Sequence, residues 1–336
     1  MAGGQERVLR RRIKSVQSTK KITKAMELIA ASRIVKAQQR VAAARPYSEQ
    51  ITEVIRNLAA AGAGNDSPLL QERDEVRSVC YVVISADRGL AGGYNSSVIR
   101  AAERDLITER DAGRDTFLVT VGKKAQTYFK FRDYDIAEAF VGMSDTPAYE
   151  DARKVSEYVT GRFEAGEFDQ VRLAYTQFLS IGNQRATVTR YMPLDRANLE
   201  QAEAGGPTAD YEFEPNPTEI LTRLLPRYAE ARLFAAMLEA SASEHAARQR
   251  AMKSATENAE DMITRLSRVM NRARQDSITT EIMEIVGGAE ALRAAGAGND
   301  DLLVDDILTK DFFDHQIERA VRQHHDFGNA RSGAKR

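Results

Sequence analysis

The 336-residue chain has one cysteine, no tryptophan, four histidines and eight prolines. A single cysteine, Cys80, can form neither an internal disulfide nor a cysteine zinc site, which fits a reducing compartment. Four histidines (His245, His315, His324, His325) are too few and too scattered to suggest a metal enzyme. No stretch approaches the ~20 consecutive apolar residues of a membrane span, so the chain is not expected to be integral to a bilayer. A net charge of −1 argues against a generally basic nucleic-acid binder. Acidic residues are nearly missing from residues 1–45, where Glu6 and Glu27 stand against twelve Lys and Arg. That arm carries +10, so the remaining 291 residues carry −11. A basic arm on an acidic body predicts a partner with an acidic surface.

What is present is long-range order. With 43% hydrophobic and 29% charged residues the chain is too apolar to be wholly disordered. Helical periodicity begins within ten residues of Met1, so no targeting segment is read. Between Glu6 and Leu58 the only proline is Pro46. Leu9, Ile13, Val16, Thr23, Met26, Ala30, Ile34, Ala37, Val41 and Ala44 repeat near every 3.5 residues, the seam of a coiled coil. Such a helix is roughly 80 Å long and cannot bury its seam alone. Pro46 is expected to kink it.

A Gly/Ala/Pro-rich break at 61–68 ends that pattern. Strand-like runs at Ser78–Ser85, Thr116–Val121, Ile136–Val141, Val171–Phe178 and Ala186–Met192 alternate with helical runs at Asn95–Asp111, Lys123–Arg132 and Tyr149–Glu164. That alternation predicts an α/β domain with a mostly parallel sheet and flanking helices. Residues 195–216 read as a polar loop. From Thr218 to Leu292 only Pro226 interrupts a second seam. It runs through Leu221, Leu225, Tyr228, Arg232, Ala235, Leu238 and Ala242, then Met252, Ala255, Ala259, Met262, Leu266, Val269, Ala273, Ile278, Ile282 and Ile285. The expected organisation is a helix at 1–60, an α/β domain at 61–216, a helix at 217–293, and a linker with an acidic amphipathic extension at 294–336. The two terminal helices are expected to wrap as an antiparallel intramolecular coiled coil, with the inserted domain as a foot.

The loop Asp87-Arg88-Gly89-Leu90-Ala91-Gly92-Gly93 follows the first strand. It lacks the dinucleotide fingerprint and the P-loop lysine. A tight strand-to-helix turn capped by Asn95 or Ser96, with a local Asp87–Arg88 ion pair, is favoured over nucleotide binding. No nucleophile elbow, zinc spacing or Ser/His/Asp arrangement stands out, so no catalytic, cofactor-binding or metal-ligating residue is expected. His245 is read as packed or solvated rather than catalytic. The basic patch from Arg7 to Lys24 admits three readings: a solvated face, a phosphate contact in a homodimeric nucleic-acid-associated coiled coil, or a steering surface for acidic protein loops.

Four segments carry a resemblance. Lys21–Ser32 (KITKAMELIAAS) looks like the N-terminal helix of the gamma subunit of F-type, proton-translocating ATP synthases. Ala86–Asn95 (ADRGLAGGYN) resembles that family's SDRGLCGGFN loop, departing by Ala86 and Ala91. Glu244–Asn258 (EHAARQRAMKSATEN) and Ile278–Ala291 (ITTEIMEIVGGAEA) are similar to its two C-terminal motifs. The resemblance covers about residues 1–293, is of bacterial type, and leaves a C-terminal extension outside the family pattern.

The resemblance implies a central rotor shaft inside a ring of three alpha and three beta subunits, with the foot and the epsilon subunit on the c-ring. It implies peripheral attachment, through the complex, to the cytoplasmic side of a bacterial cell membrane. It implies no catalysis, no cofactor and no nucleic acid for this chain. It places Lys20, Lys21, Lys24 and Met26 against acidic beta loops, and Arg274, Gln275 and Thr279 against alpha and beta catch loops. It sets Tyr211, Phe213 and Glu214 at the foot, touching the c-ring. In the extension Leu303, Ile307, Phe312, Phe313, Ile317 and Val321 line one helical face. A disordered tail, a docking helix and a brake on rotation all remain open for it.

Overall fold

The computed structural model describes residues 2–60, 67–73, 75–194, 214 and 216–295. The elements are α1 (Ala2–Ala60), β1 (Ser78–Ile84), α2 (Tyr94–Asp111), β2 (Asp115–Val121) and α3 (Lys123–Phe131). There follow β3 (Glu138–Phe140), α4 (Tyr149–Glu164), β4 (Gln170–Phe178), β5 (Gln184–Met192) and, in this numbering, α5 (Pro217–Ala295). By its internal contacts the chain forms two compact units. One holds Met1–Arg12 with the chain from Leu266 on, and the other holds Ile13–Arg265.

In the larger unit the five strands form one sheet of order β3-β2-β1-β4-β5. β1 pairs parallel with β2 (Val82 opposite Val119) and with β4 (Val82 opposite Leu173), and β2 pairs parallel with β3. β5 returns antiparallel beside β4, as a short hairpin connection requires. β1, buried on both faces, is the near-continuous apolar run SVCYVVI that a central parallel strand needs. Its alternate residues serve two cores. Val79, Tyr81 and Val83 meet Val98, Ala102 and Leu106 of α2 and Phe129 of α3. Cys80, Val82 and Ile84 belong to the core that includes Val155 and Val159 of α4, Ile51, Ile55 and Leu58 of α1, and Leu221, Leu225 and Leu233 of α5. The sheet is thus wound on both faces, and the terminal helices supply part of one covering layer.

The α1 seam stands as its spacing predicts. Thr23, Ala30, Ile34 and Ala37 are buried, and Ile13, Val16, Met26, Val41 and Ala44 are half-buried. The helix runs on through Pro46, which lies on its exposed side where a missing N–H is least costly. Lys20 faces Glu260 and Thr23 faces Thr256, so residue numbers rise on α1 as they fall on α5. That is the antiparallel pairing expected.

The α5 seam needs correction beyond Ala259. Met262 and Val269 are 44% and 53% exposed, while Ile263 and, in the smaller unit, Leu266, Met270, Ala273 and Ser277, with Ser267 beside Leu266, are the half-buried positions. The spacing alternates four and three, as a seam requires, but it selects Ser277 over larger apolar neighbours. In the smaller unit every described side chain from Ile278 to Leu292 is exposed, including Ile278, Ile282, Ile285 and Val286. Among the described residues the apolar periodicity there is not a packed seam.

Candidate functional site: a sheet clamped to two helices

The Asp87 loop ties together the carboxyl ends of three strands. The Asp87 carboxylate accepts N–H bonds from Lys123 (3.0 Å), Gly142 (3.0 Å) and Ser144 (3.0 Å), and the Asp87 N–H donates to Ser144 Oγ at 2.8 Å. Burial pushes the Asp87 carboxyl up, but these donors outweigh it and hold its pKa below the ordinary carboxylate value. The expected Asp87–Arg88 ion pair is therefore absent, because three fixed backbone donors compete better than one exposed neighbour. The capping expectation also fails. α2 begins after Gly93 with no side-chain cap, and the Asn95 carbonyl oxygen instead accepts from Ala86 N–H at 2.9 Å. Gly122 lets α3 start directly under this loop. Its φ is +98°, and a Cβ there would lie 2.1 Å from Ser85 O.

This loop system is held by both long helices. From α1, the Arg33 guanidinium bonds the Asp145 carboxylate. From α5, Ser241 Oγ donates to Asp145 O at 3.0 Å, and the same carbonyl lies 3.1 Å from His245 Nε2. One turn on, Arg248 bonds Glu244, reaches Gly89 O at 3.4 Å and lies 3.3 Å from His245 Nδ1. An imidazole that donates through Nε2 and accepts at Nδ1 is neutral, and burial lowers the His245 pKa accordingly. Burial raises the Glu244 carboxyl, against the opposing pull of Arg248, and drives the Tyr94 phenol far up. The Glu244–Arg248 pair of this bracket is desolvated, while Arg33 and Asp145 remain partly exposed. The bracket has the character of a mechanical joint, since Asp145 and Gly89 of the loops are bonded by side chains of both long helices.

The sequence-predicted contact residues lie elsewhere. Lys20, Lys21, Lys24 and Met26 sit on α1 in the larger unit. Lys20 Nζ pairs with Glu260 at 2.6 Å and Lys24 with Glu27 at 3.2 Å, while Lys21 is exposed and Met26 half-buried in the seam. Exposed Ile22, Leu28, Ile29 and Val35 accompany them on the helix. Arg274, Gln275 and Thr279 are exposed on α5 in the smaller unit. Of the foot residues Glu214 is exposed, and Tyr211 and Phe213 lie outside the described residues, as does the whole 296–336 extension. Among the described residues no group of His, Cys, Asp and Glu is placed to hold a metal ion, and no helix is long and apolar enough to cross a membrane. Sequence reasoning missed Arg33 and Asp145 entirely. Glu244 and Arg248 carried a signal, an acid and a base one helical turn apart inside a motif.

A family model described as ATP synthase matches residues 5–292. The ATP synthase gamma chain of Parafrankia sp. is 51% identical over 298 residues, covering 88% of this chain and 99% of that one. The chain belongs to the ATP synthase gamma chain family. The gamma chain of Mycolicibacterium smegmatis is 46% identical over 300 residues, covering 85% of this chain and 97% of its own. Among solved structures, the central stalk of the Tetrahymena thermophila mitochondrial ATP synthase matches with a TM-score of 0.53 and 25% identity, over 70% of this chain and 99% of that one. A Euglena gracilis mitochondrial ATP synthase chain matches with a TM-score of 0.59 over 89% of this chain, at 15% identity, a likeness of fold. Gamma chains are rotor subunits of ATP synthase, a membrane-associated complex, and nothing in these likenesses supports the nucleic-acid alternative.

Proposed function

We propose that this chain is the turning shaft that couples proton-driven rotation of a c-ring to the cycling of three alpha/beta catalytic pairs, and that it carries out no bond chemistry itself. Its partners in this reading are three alpha and three beta subunits, epsilon and the c-ring, at the cytoplasmic face of a bacterial membrane. The observation that carries it is the bracket of Arg33, Asp145, His245 and Arg248. Torque applied to the α/β domain reaches both helices through the part-buried bonds of Arg33, Ser241 and His245 to Asp145 and of Arg248 to Gly89 O, and through a shared apolar core. Rotation does chemical work only if the shaft contacts different beta conformations unequally at different angles. Lys21, Lys24 and Met26 on one helix, and Arg274, Gln275 and Thr279 on the other, supply candidate contacts of opposite chemistry to acidic and polar ring loops. Their support is exposure of most of them, positive charge and motif position. The domain reading, with a foot at 61–216 between two helical segments, belongs to the same proposal.

Affinity purification from the native cell tests this reading. Recovery with alpha, beta and epsilon subunits is expected. Recovery without them, or with salt-sensitive nucleic acid alone, overturns it.

A further inference from the structure

His245 holds two loops to α5 at once, and it does so only in its neutral form. The residue is buried. Its Nε2 donates to Asp145 O, and its Nδ1 accepts from Arg248 Nη1 at 3.3 Å. The other guanidinium nitrogen, Nη2, serves Glu244 and, at 3.4 Å, Gly89 O. Charged and titratable groups face this ring from each packed element. Asp145, in the loop before α4, adds a carboxylate oxygen 3.8 Å from Nε2, and Arg33 of α1 bonds the same carboxylate. Glu244 and Arg248 flank the ring on α5, and Asp87 and Tyr94 lie close to Glu244.

A second proton on the ring goes to Nδ1 and turns that acceptor into a donor pointed at a guanidinium N–H. The Arg248 bond is then lost, and two cations stand in contact where water is scarce. Burial and the Arg248 and Arg33 charges lower the His245 pKa against the pull of Asp145. The bond to Asp145 O survives, since Nε2–H remains a donor and gains from the charge. Protonation therefore acts on one loop alone. Arg248 must turn away, and its hold on Gly89 O, already long, goes with it. The next residue, Leu90, stands at φ +63° with its side chain 62% exposed. That conformation is uncommon for a residue with a Cβ and is kept only where the surroundings impose it.

We propose that His245 is a proton-operated catch: neutral, it keeps Arg248 on the Gly89–Leu90 turn, and protonated, it drives Arg248 off and frees that turn from α5 while Asp145 stays bound. Linkage fixes the sign. A histidine kept neutral in the closed joint, and ordinary once the turn is free, takes its proton preferentially in the free state, so falling pH favours release. Glu244 also takes up a proton more readily than an ordinary carboxyl, and a variant that keeps it while removing the imidazole separates the two. As a regulator of torque this catch rests on the rotor reading above; its movement is measured without partner subunits, so either can fail alone.

The test uses the full-length chain from about pH 7.5 to about pH 4.5. Ring NMR follows the four histidines, and the signal missing from His245→Gln is that of His245. Its midpoint is expected below the ordinary value of about 6.5. A nitroxide on Leu90→Cys reports the turn, and one on Val141→Cys, also exposed, reports the loop that leads to Asp145; Cys80 is buried and stays unlabelled. The mobile fraction at position 90 should rise at least about threefold with the His245 midpoint, while position 141 does not change. In His245→Gln the side-chain amide can still donate to Asp145 O but cannot titrate, so the rise at position 90 should vanish. An equal rise in that variant overturns the catch. So does a His245 midpoint at or above the ordinary value, no rise at position 90, or an equal rise at both positions. If His245→Gln does not fold, coincidence of the ring and nitroxide midpoints in the unsubstituted background decides, and separate midpoints overturn the catch.

Discussion

Replacing Arg248 by Met removes the only cation bonded to Glu244 among the described residues while keeping much of the side-chain volume. Glu244 is 1% exposed and its Oε2 already lacks a partner, so the stranded carboxylate has no route to water. Asp145 and Asp87 add repulsion from nearby. Removing one member of a buried pair costs about 3–5 kcal/mol, because the survivor keeps its desolvation penalty and loses its compensation. With a urea m-value near 3 kcal/mol/M, the unfolding midpoint of the isolated chain should fall by roughly 1–1.7 M. The loss should depend on pH with a definite sign. Glu244 has a raised pKa in the folded protein, so the penalty is absent below its unfolded value of about 4.3 and grows as pH rises through the folded value. The deficit relative to the parent should therefore be larger at pH 8 than at pH 5. The neutral His245, with its lowered pKa, contributes stability above about 6.5 that is lost as pH falls. Arg248 adds to that lowering, so in the variant less of this stability is lost as pH falls, which also makes the deficit smaller at pH 5 than at pH 8. Adding Glu244→Gln to Arg248→Met should restore most of the loss. Equal losses in the single and double variants, at both pH values, would refute the bracket as a coupled pair.

Reversing Lys21 to Glu should lower coupled ATPase turnover while leaving assembly intact, because it is exposed and, unlike Lys20 and Lys24, has no ion pair among the described residues. Lys20 is the poorer target, since its change also breaks the Glu260 pair. Unchanged turnover in the assembled complex relegates the patch to a solvated face. Gly122→Ala should cost several kcal/mol and show as a lowered melting temperature, because its Cβ would lie 2.1 Å from the Ser85 carbonyl oxygen at a φ of +98°. A melt within experimental error of the parent contradicts that geometry. Deleting residues 297–336 leaves every family-like motif intact, so an assembled, coupled complex is expected. Comparing hydrolysis and synthesis before and after distinguishes a brake, which truncation relieves, from an inert tail, which it does not affect.

Most of the element order was legible because periodicity is a local property. The 3.5 spacing from Leu9 to Ala44 and the apolar run at β1 each report one environment repeated along one element. The family was legible too, through four motifs in order along the chain. Tertiary structure decided what depends on a partner outside the element. Whether Ile263 or Met262 is covered turns on which face α1 meets, and apolar character alone ranks them equally. The Ile278–Val286 run has seam spacing yet stands exposed, since no described segment in its unit covers it. Asp87 abandons its sequence neighbour for donors at 123, 142 and 144, and Arg33 finds Asp145 across 112 residues. Such pairings arise only once the sheet has brought its strand ends together, because burial rewards whichever donors are already fixed in place.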